Sequence, residues 1–382
     1  MKLDGNSTPP SADEIEVSLF GPGYGECILI HLGQNKWIVI DSCIIPGTKK
    51  CAALEYFSKL GVDPSNSVEM IIATHWHDDH LRGLSDVFKN STRATFFCSD
   101  ALRFDEFVTL VNAYKNRSMI ESSGVDEFGK ILAELSRRQK ENKTNYIGPE
   151  FTAADRTLLR TKQIDSSGQS RTCIVYALSP SSASILKSKL HIANFLPKTK
   201  QPKNAIITYP PNHASIVLLI TIDTTSILLG ADLEEKNGNP IGEWSIILNS
   251  KIRPQQKSSL YKIAHHGSVN ADHPGIWQIM LDKNPTAILT CFSKGPQKRP
   301  SKKDVVRICS NSSNTFSTSI PGDVKKLKRE SVVEKTIKET VKNIKLINSS
   351  FGQVRCRKVA SQNWTVDLFG DAVHLCKKYS LV

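Results

Sequence analysis

The 382-residue chain lacks long hydrophobic runs. No uninterrupted apolar stretch approaches the roughly 20 residues that an α-helix needs to cross a bilayer. The first 14 residues are polar, contain two prolines and two serines, and lack the apolar segment of a secretory signal. We therefore expect a cytoplasmic protein that does not associate with membranes, with a short disordered leader over residues 1–14.

Cysteine pairs with metal-binding spacing are also lacking. The nine cysteines are scattered, odd in number, and never form a Cys-x-x-Cys motif. Several lie within apolar runs, as Cys98 does in ATFFC. This usage indicates reduced thiols in a buried core, and it argues against a disulfide framework or a cysteine zinc site.

Acidic residues are scarce in the C-terminal third. Residues 251–382 contain 24 lysines and arginines but only nine aspartates and glutamates, whereas residues 1–250 contain 26 and 28. This basic region fits a polyanionic partner such as nucleic acid, although a solvated face or a docking surface for an acidic protein would have the same composition. The candidate phosphate contacts are Arg299, Lys302, Lys303, Lys325, Lys326, Lys328 and Arg329.

Short apolar segments alternate with amphipathic ones along the chain. The predicted strands are 15–20, 26–32, 36–41, 68–74, 171–181, 215–222, 226–231, 259–264 and 286–292. Helical spacing predicts a helix at 51–61, a two-helix insertion at about 100–145 and a further helix at 328–344. Residues 351–369 are typical of a β-hairpin. The alternation of strands and helices predicts an α/β sandwich.

The strongest chemical signal is the sequence THWHDDH at residues 74–80, directly after an apolar segment. His75 and His77 are two residues apart, so in an extended segment their side chains point the same way and can share a metal ion at about 2.0–2.1 Å. A tight turn after them can direct Asp79 and His80 at a second ion. Three histidines and two aspartates are costly to bury unpaired, so we interpret the cluster as a metal site.

This motif resembles the metallo-β-lactamase superfamily, in which His-x-His-x-Asp-His follows a strand. The segments IEVSLFGPGYGECILIHLGQNKWIVIDSC, NHASIVLLI, SILLGADLEE and LYKIAHHGS are similar to the other motifs of its ComEC-type branch. That branch includes the hydrolase domain of bacterial DNA-uptake channels. The resemblance covers residues 15–310 and implies an αββα metallo-β-lactamase sandwich with the insertion at about 100–145. Residues 311–382 would then be a basic extension, a helix and a hairpin packed on this domain.

The resemblance also implies a role for each matching residue. The ligands implied for two divalent ions are His75, His77 and His213 for the first, Asp79 and His80 for the second, Asp232 as a bridge, and His265 in preference to His266 from the HHGS motif. Asp41 would be a structural residue behind these ligands. Ala231 stands where the family usually has glycine before the bridging aspartate. Nitrogen and oxygen ligands without a thiolate fit zinc first, with manganese as the alternative.

Two such ions lower the pKa of a bridging water and polarise the bond under attack. The resemblance therefore implies a hydrolase that uses a metal-bridging hydroxide, with Asp79 holding it in line. His266 or Lys262 would stabilise a phosphate oxygen or protonate the leaving group. Iron-dependent oxygen-reducing members usually carry glutamate where this chain has His77, which favours hydrolysis.

The substrate is open to alternatives. Together with the basic C-terminal third, the resemblance favours a phosphodiesterase or nuclease that acts on DNA, RNA or nucleotides. A second interpretation is hydrolysis of a small ester, lactam or peptide bond. A third is an effector subunit of a larger assembly, antiphage systems included, in which the insertion and the basic tail would dock a protein partner.

Overall fold

The computed structural model describes residues 7–22, 25–103, 107, 124–142, 148–193, 211–235, 242–292, 298–322, 330–340, 350–359 and 362–381. Over these ranges the chain forms two mixed β-sheets that pack face to face and carry helices on their outer faces. This is the αββα sandwich that the sequence predicts. In the described ranges, no helix combines the length and apolarity required to span a bilayer.

The strands are β1 Glu14–Pro22, β2 Cys27–His31, β3 Trp37–Ile40, β4 Val68–Ala73, β5 Thr95–Ser99, β6 Glu150–Thr152, β7 Arg156–Ile164, β8 Ser170–Ala177, β9 Leu218–Ile222, β10 Thr225–Leu229, β11 Ser258–Lys262, β12 Leu281–Leu289, β13 Thr315–Ser317, β14 Phe351–Val359, β15 Thr365–Gly370 and β16 Val373–His374. The first sheet has the order β15-β14-β1-β2-β3-β4-β5-β6, and the second has the order β16-β13-β12-β11-β10-β9-β8-β7. The nine predicted strands are confirmed. Five strands were not predicted: β5, β6, β7, β13 and β16. Strand β7 lies at the edge of its sheet and is largely exposed, so its residues lack an apolar pattern, and the other four are at most five residues long.

The helices are α1 Ala52–Leu60, α2 Pro64–Ser67, α3 Asp78–Leu81, α4 Leu84–Asn90, α5 Gly124–Glu141, α6 Ser182–Ala193, α7 Glu243–Asn249, α8 Lys302–Asn311, α9 Ser331–Thr340 and α10 Leu375–Lys378. The predicted helices at 51–61 and 328–344 correspond to α1 and α9. Of the two insertion helices, the second corresponds to α5. The first falls on residues that are, apart from 107, outside the described ranges.

Alternating side chains on each strand divide the core into three layers. Leu19 and Ile220 lie in the layer between the two sheets. The outer face of the first sheet packs on helices α1, α4 and α5 through residues such as Phe88. The outer face of the second sheet is covered by Trp244 and Trp277. Both faces of each sheet are thus buried against apolar partners, which is why the central strands are apolar throughout.

The C-terminal residues contribute strands to both sheets. Strand β14 pairs antiparallel with β1 along its whole length, from Glu14↔Val359 to Pro22↔Phe351. Strand β15 follows as the other arm of the predicted hairpin, and β13 and β16 extend the second sheet. Helix α8 crosses position 310. Residues 311–382 therefore contribute strands to both sheets, and β14 pairs with β1 on the side opposite β2.

Two of the cysteines form a disulfide. Cys309 on α8 and Cys376 on α10 are joined by an S–S bond of 2.14 Å. The prediction that all thiols are reduced is wrong for this pair, because packing of α10 on α8 brings together residues that are 67 positions apart. The other seven cysteines are buried thiols outside any disulfide, as expected.

Replacing both Cys309 and Cys376 by serine should lower the free energy of unfolding by about 4 kcal/mol, because the disulfide closes a long loop in the unfolded chain. Denaturant unfolding with and without reductant measures this effect, and reductant should not destabilise the double variant further. Thiol titration in denaturant should give seven thiols before reduction and nine after it. Nine thiols without reductant would contradict the disulfide.

Candidate metal centre

The predicted ligands lie where four strands end at one edge of the sandwich. Asp41 follows β3 and the HWHDDH loop follows β4, and these two strands are parallel. Asp232 follows β10 and the HHGS loop follows β11, which are also parallel. The two sheets meet at this edge, where Ile216 N donates to Thr74 O at 3.0 Å. Parallel pairing in both sheets therefore brings residues about 190 positions apart in the sequence into one cluster.

The Asp41 carboxylate organises the first half of this cluster. It is fully buried, and its Oδ1 accepts from Thr74 N at 2.8 Å. Its Oδ2 accepts from Thr74 Oγ1 and from His80 Nδ1, both at 2.7 Å. All three partners are donors, so an ionised carboxylate satisfies them fully. The predicted structural role of Asp41 matches this geometry.

Asp41 also sets the tautomers of two histidines. His80 donates its Nδ1–H to Asp41, so in the neutral ring that a metal ion requires the lone pair is on Nε2. Thr74 Oγ1 donates to Asp41 and therefore accepts from His75 Nδ1 at 3.0 Å, which leaves a lone pair on His75 Nε2. His75 Nε2 lies 3.1 Å from His77 Nδ1. Two ligands of one tetrahedral ion are about 3.4 Å apart, so this spacing suits a shared ion.

His266 supplies a third oriented imidazole. Its Nδ1 donates to Thr290 O at 3.0 Å, and its ring stacks on Phe292 with centroids 5.3 Å apart. Its Nε2 lies 3.6 Å from Asp79 Oδ2 and 3.5 Å from Asp232 Oδ2. A histidine whose second nitrogen is held by a backbone carbonyl is arranged as metal ligands usually are.

The donor set fits one or more metal ions. Among the described residues, three groups place their ligand atoms within 4.8 Å of one another: Asp41, His75 and His80; Asp79, His80 and His266; and Glu26, His80 and Asp232. His80 belongs to all three. Within the described ranges, the buried atoms His80 Nε2, His266 Nε2 and Asp232 Oδ1 find no hydrogen-bond partner. Each such atom costs about 1–3 kcal/mol when left unsatisfied, and a cation would satisfy all of them.

Burial and neighbouring charges shift the pKa values of this cluster in opposite directions. Burial, together with His80 and His77, lowers the pKa of His75 well below 6.5. Burial also opposes charge on His80, but Asp232 and Asp41 outweigh it and raise the pKa of His80. For Asp79, burial raises the pKa, but the adjacent His266 and the charges of His80 and His77 lower it well below 3.8. Burial also raises the pKa of Asp232, but nearby histidine charges lower it, so both carboxylates are ionised and draw positive charge to this position.

A buried ion pair closes the rear of the cluster. Lys262 Nζ lies 2.5 Å from Glu26 Oε1, donates to Ala231 O at 3.1 Å, and is 3.9 Å from Asp232 Oδ1. Lys262 is completely buried, so its predicted role on a substrate oxygen or leaving group is not compatible with the structure. It neutralises two carboxylates instead. Glu26 was not predicted from the sequence, although a charged residue directly before the apolar segment CILIHL can indicate a buried functional group.

The HHGS motif is arranged opposite to the prediction. His266, and not His265, faces Asp79 and Asp232. His265 turns towards Glu234, with Nδ1 3.2 Å from Glu234 Oε1, because both histidines adopt positive φ angles of 46° and 56° and point different ways. Burial and the nearby charges of His266 and Arg299 lower the pKa of His265 to about 4.

The remaining predicted residues lie in three places. His213 Nε2 lies 3.0 Å from Ser188 Oγ, and His213 belongs to none of the ligand groups found among the described residues. Arg299 contacts His265 Nε2, and Lys302 and Lys303 are exposed at the start of α8. The other predicted phosphate contacts, Lys325, Lys326, Lys328 and Arg329, lie outside the described residues.

Two small residues allow the loops to approach this closely. A Cβ on Gly25 would lie 2.0 Å from Asp79 O, and Glu26 N donates to that same oxygen at 2.8 Å. Ala231 has a φ of 44°, a conformation that costs an alanine about 1–2 kcal/mol relative to the right-handed region. Strain of this kind is typical of functional loops.

No protein-family model and no curated protein matches the chain. The solved structures to which it is similar include those of two proteins. One is the flavodiiron protein from Giardia intestinalis, with 16% identity, 56% of this chain and 33% of that chain covered, and a TM-score of 0.25. The other is Zn²⁺-bound PqqB from Methylobacterium extorquens, with 9% identity, 63% and 75% covered, and a TM-score of 0.24. The chain thus spans a third of the flavodiiron protein. Identities and TM-scores this low support no assignment of function. The function is therefore inferred from the side chains of the site.

Replacing Asp41 with asparagine should weaken Zn²⁺ binding by about 10- to 100-fold. The amide places an N–H group against a donor in either orientation, so His80 and Thr74 lose their anchor. Competition with a chelating dye and elemental analysis measure the change. The matched control is Asp78→Asn, since Asp78 accepts from Gly124 N at 2.7 Å on α5. Equal affinities for Asp41→Asn and the wild type would show that Asp41 does not orient the ligands.

Replacing Lys262 with methionine should destabilise the metal-free protein by about 3–5 kcal/mol, because Glu26 keeps a buried charge without a partner. The double variant with Glu26→Gln should recover much of this loss. Urea unfolding in EDTA gives the four free energies of the cycle. Additive losses would mean that the two side chains do not interact.

Proposed function

We propose that this chain is a metal-dependent hydrolase of the metallo-β-lactamase type that cleaves phosphodiesters. The observation that carries the proposal is the convergence of the 75–80 loop, Asp232 and His266 around buried lone pairs that no donor in the described part of the chain satisfies. Nitrogen and oxygen ligands of this kind suit zinc or manganese. The HWHDDH motif and the αββα sandwich support the same assignment.

His75 and His77 would hold one ion, and Asp79, His80 and His266 would hold a second, with Asp232 between them. When bound, such ions lower the pKa of water and neutralise negative charge in the transition state. The chain itself contributes orientation, since Asp41, Thr74 and Thr290 fix the tautomers of the histidines.

Asp79 is the residue best placed to orient an attacking water. Its side chain is 16% exposed, whereas those of Asp41 and Asp232 are almost completely buried. Its Oδ2 lies 3.6 Å from His266 Nε2. Because this carboxylate stays ionised, it can accept a hydrogen bond from an attacking water and hold that water in line, and Phe292 keeps His266 in place beside it.

A phosphodiester is favoured over a neutral ester by charge. Residues 251–382 have a net charge of +15, and the helix that begins at Lys302 follows directly on Arg299. Positive residues next to a cluster of metal ligands attract a polyanionic substrate and hold it against the ions.

The test uses the full chain, stripped of metal and reconstituted with Zn²⁺ or Mn²⁺. Bis-p-nitrophenyl phosphate, single- and double-stranded DNA and RNA are compared with p-nitrophenyl acetate and a chromogenic β-lactam. Phosphodiester cleavage is expected, and Asp79→Asn should reduce it by at least about 100-fold with an unchanged circular dichroism spectrum. The control Asp78→Asn should stay within about threefold. Cleavage of the acetate or the lactam without any phosphodiester cleavage would refute the proposal.

A further inference from the structure

Arg299 places a guanidinium directly beside the candidate metal centre. Its Nη1 contacts His265 Nε2, and the His265 ring lies 6.2 Å, centroid to centroid, from the ring of His266. His266 in turn faces Asp79 and Asp232. The guanidinium is therefore separated from the metal ligands by a single imidazole.

The backbone of Arg299 is fixed in this position. Arg299 N donates to Phe292 O, and Phe292 N donates to Arg299 O, both at 2.8 Å. Phe292 stacks on His266, so the same residue that supports a candidate ligand also holds Arg299. On the other side, Ser301 caps helix α8 through a reciprocal pair of bonds with Asp304. A residue anchored on both sides presents its side chain at a defined place.

The partner of Arg299 is a neutral imidazole. His265 Nε2 is approached by two donors, Arg299 Nη1 and Asn212 Nδ2 at 3.3 Å, so it carries the lone pair. The proton then resides on Nδ1, which faces Glu234 Oε1 at 3.2 Å. Asn212 also donates to Glu234 Oε1 at 2.7 Å, which orients the carboxylate. His265 thus positions the guanidinium without neutralising its charge.

The charge of Arg299 has no acidic partner among the residues that the structure describes. In the described part of the chain, no carboxylate lies within ion-pair distance of its guanidinium. The contrast with its neighbours is clear, because Arg307 pairs with Asp272 and Asp304, and Lys262 is buried against Glu26. Arg299 is only half-buried, and within the described ranges its guanidinium contacts His265 through Nη1, which leaves most of its five N–H donors for an external anion.

We propose that Arg299 binds the phosphate next to the one that is cleaved, so that a continuous phosphodiester strand is preferred over an isolated diester. This inference rests on the proposed function and adds a substrate preference to it. A planar guanidinium can hold a phosphate through two parallel hydrogen bonds, which a lysine cannot reproduce. His75, His77, Asp79, His80 and His266 would hold ions that bind the scissile phosphate. Arg299 lies one imidazole away from these ligands, where the strand would continue. His265 is the positioning residue for this contact.

The first experiment measures binding without catalysis. Fluorescence anisotropy in EDTA follows a 5′-labelled thymidine dodecamer added to the full chain. Arg299→Gln should weaken binding about tenfold or more, and the slope of log affinity against log salt should fall by about 0.7. Arg299→Lys should keep the slope but not the full affinity. The matched control is Lys298→Gln, which removes the same charge one residue away, where Nζ donates to Gly322 O at 3.3 Å. An equal loss in Lys298→Gln and Arg299→Gln would overturn the inference.

The second experiment separates the inference from the proposed function. With metal present, Arg299→Gln should lower kcat/KM for the dodecamer about tenfold or more, mainly through KM, and leave bis-p-nitrophenyl phosphate within about twofold. Equal losses on both substrates would overturn the neighbouring-phosphate contact while the hydrolase stands. If the wild type cleaves neither substrate, the proposed function fails, and the anisotropy result alone decides the role of Arg299.

Discussion

The structure of the candidate site depends on one buried carboxylate. Asp41 accepts three hydrogen bonds, from Thr74 N, Thr74 Oγ1 and His80 Nδ1, and through them it controls where β4 ends and which nitrogens of His75 and His80 carry lone pairs. A charge buried at 1% exposure is tolerated only when its partners are complete. Asp41 itself has a φ of 56°, so the turn that delivers its carboxylate is strained and is held in place by these bonds.

Charge balance explains the rest of the site. Four carboxylates, those of Glu26, Asp41, Asp79 and Asp232, converge at the edge where the two sheets meet. Lys262 neutralises part of this negative charge from the buried side of the cluster, where its ammonium lies between Glu26 and Asp232. The side that faces the histidines has no such cation among the described residues, and there the lone pairs of His80 and His266 are unsatisfied. The protein has therefore concentrated negative charge and neutral donors where divalent ions would complete the balance.

Much of the fold could be predicted from local sequence patterns. Apolar segments bounded by turns correspond to nine of the strands, and the C-terminal hairpin and helices α1, α5 and α9 follow their predicted spacing. The pattern failed where burial was one-sided or absent, as at β7, whose exposed residues carry no apolar signal. It failed again for Cys309 and Cys376, since nothing in their neighbourhoods in the sequence indicates that α8 and α10 pack together.

Residue types and their spacing define the chemistry that is available: a tight run of histidines and aspartates after a strand, single acidic or histidine residues after other strands, and a basic C-terminal third. How these groups are used depends on the fold. It turned His266 to the centre and His265 away, buried Lys262 against Glu26, and set Arg299 beside His265. The physical reason is that residue type and spacing define which ligands a segment offers, whereas direction, burial and partnership arise from strand pairing between residues far apart in the chain.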